Sequence, residues 1–202
     1  MEVHFVGYSG HSFSCINSAK EIGYWIKGYF DIEEKDFNPF NLQYLGSESN
    51  ISTEQIFISI GDNSTREKVY RQLPKTCNKS LNIIHPSAYV SKFTDISDQV
   101  LIQNGSQVNA LTRIDQGVII NTSAIIEHEC KIGAFAHIAP GAVLAGNVIV
   151  GERSFIGANA TVIQGVKIGK DVIIGAGSVV INDVPDFAVV VGNPGKIIKY
   201  NK

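Results

Sequence analysis

The chain has 202 residues, 44% of them hydrophobic and 18% charged, which is enough apolar side chain for one domain or two small ones and too much for a chain disordered throughout. Seventeen Lys and Arg against nineteen Asp and Glu leave a formal charge of -2, and no basic run could track a phosphate backbone, so nucleic acid is not an expected partner. No basic leader precedes a long apolar run, and Cys15, Cys77 and Cys130 lie far apart without metal-ligand spacing, so a cytoplasmic protein with free thiols, no metal and no membrane partner is expected.

In chain order, Val3 to Val6 reads as a strand, followed by the turn Gly7-Tyr8-Ser9-Gly10-His11-Ser12 and a helix over about 13–22. A second strand runs from Trp25 to Asp31, and a third from Ile56 to Ile60, before Gly61-Asp62-Asn63. The segment from Glu33 to Asn50 reads as irregular. This is a small Rossmann-like βαβ unit over residues 1–80. Gly7-x-x-Gly10 falls short of the full dinucleotide fingerprint. Backbone N–H groups at a helix start nonetheless suit a diphosphate, and Asp31 closes the next strand, which makes a nucleotide-bearing ligand plausible.

From Ile84 to Val180 every sixth residue is Ile, Val or Leu, and the fourth residue after each is small or β-branched. Period six suits neither a helix nor simple strand alternation; it suits a short strand plus a corner. Large and small side chains alternating inward would fill a narrow triangular prism, with corner glycines such as Gly133, Gly141, Gly151, Gly157, Gly169 and Gly175 supplying unusual backbone angles. Three hexads make a coil, so residues about 84–182 are predicted to hold five to six coils stacked at about 4.8 Å, within a second domain over 81–202 that ends in a tail. Cys130 occupies an inward slot and is read as core, not as a nucleophile.

The sequence resembles the bacterial sugar-nucleotide acetyltransferases of the bacillosamine-pathway type and the related sialic-acid O-acetyltransferases. The resemblance spans nearly the whole chain. It is carried by Gly7-Tyr8-Ser9-Gly10-His11, by Ile60-Gly61-Asp62-Asn63 with Arg66, by Ile84-His85-Pro86, by Asn121-Thr122, by Glu127-His128-Glu129-Cys130, by His137, and by Val191-Gly192-Asn193-Pro194-Gly195-Lys196. It implies a left-handed parallel β-helix, acetyl-CoA as co-substrate and three prisms around a threefold axis. It further implies that His128 is the general base tuned by Glu129, that His137 and Gly146 contact the acetyl thioester, and that Ser9, Gly10 and His11 hold the nucleotide near Asp31 and Gly61. Ile32 departs from the family, where a second acidic residue follows Asp31. Gly195 stands where many relatives have Ala.

The repeat offers a check of its own. Gly146 is one coil of 18 residues beyond His128, so the two should stack on one edge. His137 is half a coil away, on the far side of the same prism, so both histidines serve one site only across a subunit boundary. The expected reaction is direct attack of a sugar 4-amine on acetyl-CoA, with His128 taking the proton and a donor from Gly146 or His137 stabilising the oxyanion. Lys167, Lys170, Lys196 and Lys199 are candidates for the CoA phosphates, with the tail turned back by Asn193-Pro194-Gly195. Acetylation of a sialic-acid or other sugar hydroxyl is the alternative chemistry, and a hexapeptide-repeat protein used only for binding or assembly is the alternative class.

Overall fold

The computed structural model describes residues 1–52 and 55–201. The chain opens with β1 (Glu2–Val6), α1 (Gly10–Glu21), β2 (Trp25–Phe30), β3 (Gln43–Tyr44), β4 (Ile56–Ile58) and α2 (Asn63–Gln72). The four strands are parallel and ordered β3-β2-β1-β4. The order reverses beside β1, so the crevice beyond the carboxyl ends of β1 and β4 is a topological switch point, where open α/β sheets take ligands.

Local chemistry moves several boundaries. Helix α1 begins at Gly10, three residues before the expected start, because Ser9 adopts the extended N-cap conformation. Strand β4 ends at Ile58 rather than Ile60, and the Ser59 hydroxyl instead donates to the Gly7 carbonyl at 2.7 Å, tying the two crevice turns together. Helix α2 was not anticipated. It is capped by Asp62, whose carboxylate accepts from the Thr65 N–H at 2.8 Å.

Beyond residue 80 the architecture changes. Two-residue strands recur every six residues from β5 (Ile83–Ile84) to β21 (Val179–Val180), and all but the last three pair in parallel with the strand 18 residues on. Three faces result. The docking face points Ile83, Leu101, Ile119, His137, Phe155 and Ile173 outward. The second carries Tyr89 to Val179, and the third Asp95 to Lys167, at the same spacing. Inside, aliphatics such as Ile120, Ile126 and Ile138 alternate with Ala124, Cys130, Ala136 and Ala142, all fully buried. Cys130 is core, as its slot in the repeat implies.

The corners differ from expectation in an informative way. Every sixth residue from Gln99 to Gly177 has a left-handed φ, between 54° and 75°, and many are not glycine: Leu111, Glu129, Phe135 and Arg153 are among them. Of the six glycines expected to supply unusual angles, only Gly141 does so. The other five sit where a side chain would strike the next coil. A Cβ on Gly151 would lie 2.5 Å from the Gly169 carbonyl carbon and 2.6 Å from the Lys170 nitrogen, backbone atoms that cannot swing aside. Gly151→Ala is therefore expected to cost about 1–3 kcal/mol. An unchanged denaturation midpoint would contradict this close stacking.

The tail extends the docking face. β22 (Ala188–Val191) pairs beyond Ile173, and the turn at Asn193-Pro194-Gly195, with a cis Asn193–Pro194 peptide, returns the chain as antiparallel β23 (Lys196–Tyr200).

The N-terminal unit lies across the docking face. Ile83, Leu101 and Ile119 share one apolar core with Val3, Phe5, Tyr8 and Ile16. On one edge Gln103 pairs with Ser14 and Ser18 of α1, and on the other polar contacts run along a corner column at 18-residue spacing. The Gln99 amide pairs with the Ile58 N–H and the Ile56 carbonyl. The Gly117 and Phe135 carbonyls accept from Arg66, and Arg153 reaches Glu67 at 3.0 Å while gripping Asp171 at 2.7 and 2.8 Å.

Candidate active site

The turn after β1 is shaped by Asp31. Its carboxylate accepts from the Tyr8 N–H at 2.8 Å and the Ile32 N–H at 2.7 Å, with Lys35 Nζ at 3.4 Å. Both Asp31 oxygens are thus engaged in holding the turn open. Ser9 and Gly10 are exposed at its mouth, and a Cβ on Gly10 would meet nothing within 4 Å. The first amides of α1 face this opening without intrahelical partners, and its first turn holds no acidic residue. His11 packs against Gly61, whose added Cβ would lie 3.3 Å from the ring.

His137 meets this cluster from the prism. It stands on the docking face directly above Ile119, where the cover of the N-terminal unit ends, and it is 8% exposed. Its ring lies 5.9 Å from His11 and 5.1 Å from Phe155, and Nε2 is 3.1 Å from the Asn121 amide. Burial is the main reason both imidazoles are hard to protonate, and the nearby Arg66 charge adds to it: His11 is pushed down to about 4 and His137 to about 3. Both are neutral near pH 7. The structure thus joins Ser9, Gly10, His11, Gly61 and His137 at one seam.

His128 and Glu129 lie elsewhere. They form the corner between the second and third faces, opposite the face that carries His137. The left-handed φ of 62° at Glu129 turns its carboxylate back to His128 Nδ1, at 3.0 Å. Nε2 is left for a substrate, and both side chains are more than half exposed. Beneath the ring is Gly146: a Cβ there would come 2.5 Å from His128 Cε1 and 2.7 Å from Nε2. The Gly146 N–H has no hydrogen-bond partner among the described residues. An imidazole, a carboxylate on its Nδ1 and an unused backbone donor therefore share one edge, with His128 stacked on Gly146 as the 18-residue spacing anticipated.

A cleft of about 490 Å³ opens above His137. The amino end of α2, from Gly61 to Ser64, forms one wall, Phe155 and Ile173 form the floor, and Arg153, Asp171, Phe187 and Asn201 complete it. The floor is the column of His137 continued one and two coils upward. Among the described residues no cluster of His, Cys, Asp and Glu could hold a metal ion, and no helix is long and apolar enough to cross a membrane.

Comparison with known proteins bears on this arrangement. Residues 2–73 match the family model of the PglD N-terminal domain, and residues 147–181 that of the hexapeptide repeat of succinyl-transferase. A histidine-to-asparagine mutant of perosamine N-acetyltransferase from Caulobacter crescentus, solved with CoA and GDP-perosamine, is 35% identical with a TM-score of 0.92, over 98% of this chain and 97% of its own. The chain belongs to the hexapeptide-repeat sugar acetyltransferases. The acetyltransferase domain of PglB from Neisseria gonorrhoeae, solved with acetyl coenzyme A, is 30% identical with a TM-score of 0.90, covering 98% of each chain. WeeI from Acinetobacter baumannii shares the fold, with a TM-score of 0.85 at 22% identity, over 98% of this chain and all of its own.

This sugar acetyltransferase is accordingly a Rossmann-like βαβ unit followed by a left-handed parallel β-helix, and acetyl-CoA is its acyl donor. Two of the predicted phosphate lysines, Lys167 and Lys196, stand on different sheets of the prism. Lys167 lies on the third face, its N–H donating to Asp183 at 2.8 Å, whereas Lys196 is on β23 beyond the docking face. Sequence reading of the acetyltransferase passed over Phe155 and Ile173, although both stand 18 and 36 residues beyond His137. It also left α2 and the role of Arg66 unassigned.

Proposed function

We propose that the enzyme transfers acetyl from acetyl-CoA to the 4-amino group of a nucleotide-linked sugar. The observation that carries this reading is the His128–Glu129 pair over Gly146, in a chain whose N-terminal turn presents free helix amides at a switch point. Ser9, Gly10 and His11 would receive the diphosphate, with Gly61 closing the site. Asp31 acts by holding the turn. The amine attacks the thioester carbonyl, His128 Nε2 accepts the proton it loses, the C–N bond forms, and the C–S bond breaks to release CoA. Glu129 fixes the imidazole tautomer, and the unpaired Gly146 N–H is positioned for the oxyanion.

Neither His128 nor Glu129 can reach His137 in its own prism, so the reading includes a homotrimer in which one prism's corner meets the next prism's docking face. Phe93 and Leu111 support it: they lie two coils and one coil below Glu129 on that corner and are 62% and 66% exposed, as residues covered by a second copy would be. CoA then runs up the Phe155–Ile173 strip, with Lys196 and the neighbouring prism's third-face Lys167 as candidates for its phosphates.

The test is mass-spectrometric product detection with acetyl-CoA and a panel of UDP-, dTDP- and GDP-linked 4-amino sugars, together with free sialic acid. One added acetyl on a nucleotide amino sugar is expected. Acetylation of sialic acid alone would move the activity to oxygen and refute the nucleotide site.

A further inference from the structure

Arg66 is 2% exposed, yet no carboxylate lies within ion-pair distance of it among the described residues, and Asp62 acts on its charge only from farther off. All five of its N–H groups are spent on neutral oxygens. Nε donates to the Gly117 carbonyl at 2.8 Å, Nη1 to the Ile60 and Gly61 carbonyls at 2.9 and 3.0 Å, and Nη2 to Asn63 Oδ1 at 2.8 Å and the Phe135 carbonyl at 2.7 Å. Burying an unpaired cation costs stability, and an apolar side chain of similar volume would avoid that cost. What the apolar side chain could not do is hold both halves of the seam at a fixed separation. Ile60, Gly61 and Asn63 belong to the nucleotide-side turn, and Gly117 and Phe135 to two successive coils of the prism.

We propose that Arg66 is a positioning residue for acetyl transfer, using one planar fork to fix the His11–Gly61 turn against the prism face that bears His137. This rests on the acetyltransfer reading above, in which the sugar nucleotide lies on the turn and the acetyl group beside the prism. The rigid fork explains the choice of Arg over Lys: a lysine offers three donors from one atom and cannot span carbonyls on both sides. The same cation faces both imidazoles. The groups around these rings are Arg66, each other, the Asn121 amide, the Gly61 residue and Phe155; the one carboxylate acting on the Arg66 charge among the described residues is Asp62, which spends its side chain on the cap of α2.

The test compares Arg66→Lys and Arg66→Met with wild type in steady-state kinetics per folded molecule, with imidazole NMR titration of the same samples. The expected result is a kcat lowered about tenfold or more and a raised KM for the sugar nucleotide, with KM for acetyl-CoA within about twofold. The His11 and His137 titrations should also rise in Arg66→Met, by about one pH unit. Wild-type kcat in folded variants, even with a lower Tm, would overturn the proposal and reduce Arg66 to a structural brace. If Arg66→Met does not fold, Arg66→Lys decides by the same kinetic criterion. A wild-type enzyme that acetylates no nucleotide amino sugar would refute the functional reading instead. The imidazole titrations would then decide separately: unmoved values in Arg66→Met would overturn its hold on the seam.

Discussion

His128→Ala is expected to lower kcat by at least about 10²-fold, the size of effect a positioned general base supplies. The fold should be untouched, because the side chain is 59% exposed and its one side-chain partner is Glu129. KM for both substrates should change little, since the imidazole acts on the proton released during attack and contributes little to holding either ground state. Glu129→Gln should fall between wild type and His128→Ala: the amide oxygen can still accept from Nδ1–H, but the negative charge that favours the imidazolium is gone. A folded His128→Ala enzyme with near-normal turnover would remove His128 from the mechanism, and with it the assignment of the corner as the catalytic edge.

Gly146→Ala is the more discriminating substitution, because it adds one methyl group and alters no titratable residue. That methyl would occupy space now filled by the His128 ring, 2.5 Å from Cε1. The ring is free to swing outward, so the coil need not deform and Tm should stay close to wild type. Swinging outward carries Nε2 away from the Gly146 N–H and strains the 3.0 Å contact between Nδ1 and Glu129. A displacement of that order in a reacting group costs about 10²-fold in rate. Loss of stability with unchanged kcat would mean that the backbone had yielded and the ring had stayed, and that the stacking of His128 on Gly146 is incidental to catalysis.

The prism was legible because its code is redundant: each coil repeats the same inward pattern, so individual exceptions cannot hide the period. The corner conformation was not legible in the same way. Residues with left-handed φ include Gln99, Leu111, Glu129, Phe135 and Arg153, which share no side-chain property, and the closure of the coil imposes the angle on them. Glycines drew attention to the wrong corner position, where the constraint is a neighbouring backbone only 2.5 Å from the missing Cβ in the case of Gly151. In the N-terminal unit, α2 escaped because its residues are mostly polar and show little apolar period; the Asp62-Asn63-Ser64-Thr65 cap was the available signal. At the site, the stacking of His128 on Gly146 followed from counting, as did the separation of His128 from His137. The contact between His11 and His137 depends on how two architectures pack together, which spacing within either one does not encode.

The periodic register also sets a rule for how such a chain can change in length. Adding or removing 18 residues within the repeat keeps every later side chain on its face and moves it along the axis by about one strand spacing, 4.8 Å. Six residues would preserve the inward pattern, and hence a foldable prism, yet turn everything downstream by a third of a revolution. If they were lost between His128 and Gly146, the His128 ring would stand over a different residue while the core packed as before. Length variation here is quantised, with stability responding to multiples of six and catalysis to multiples of eighteen.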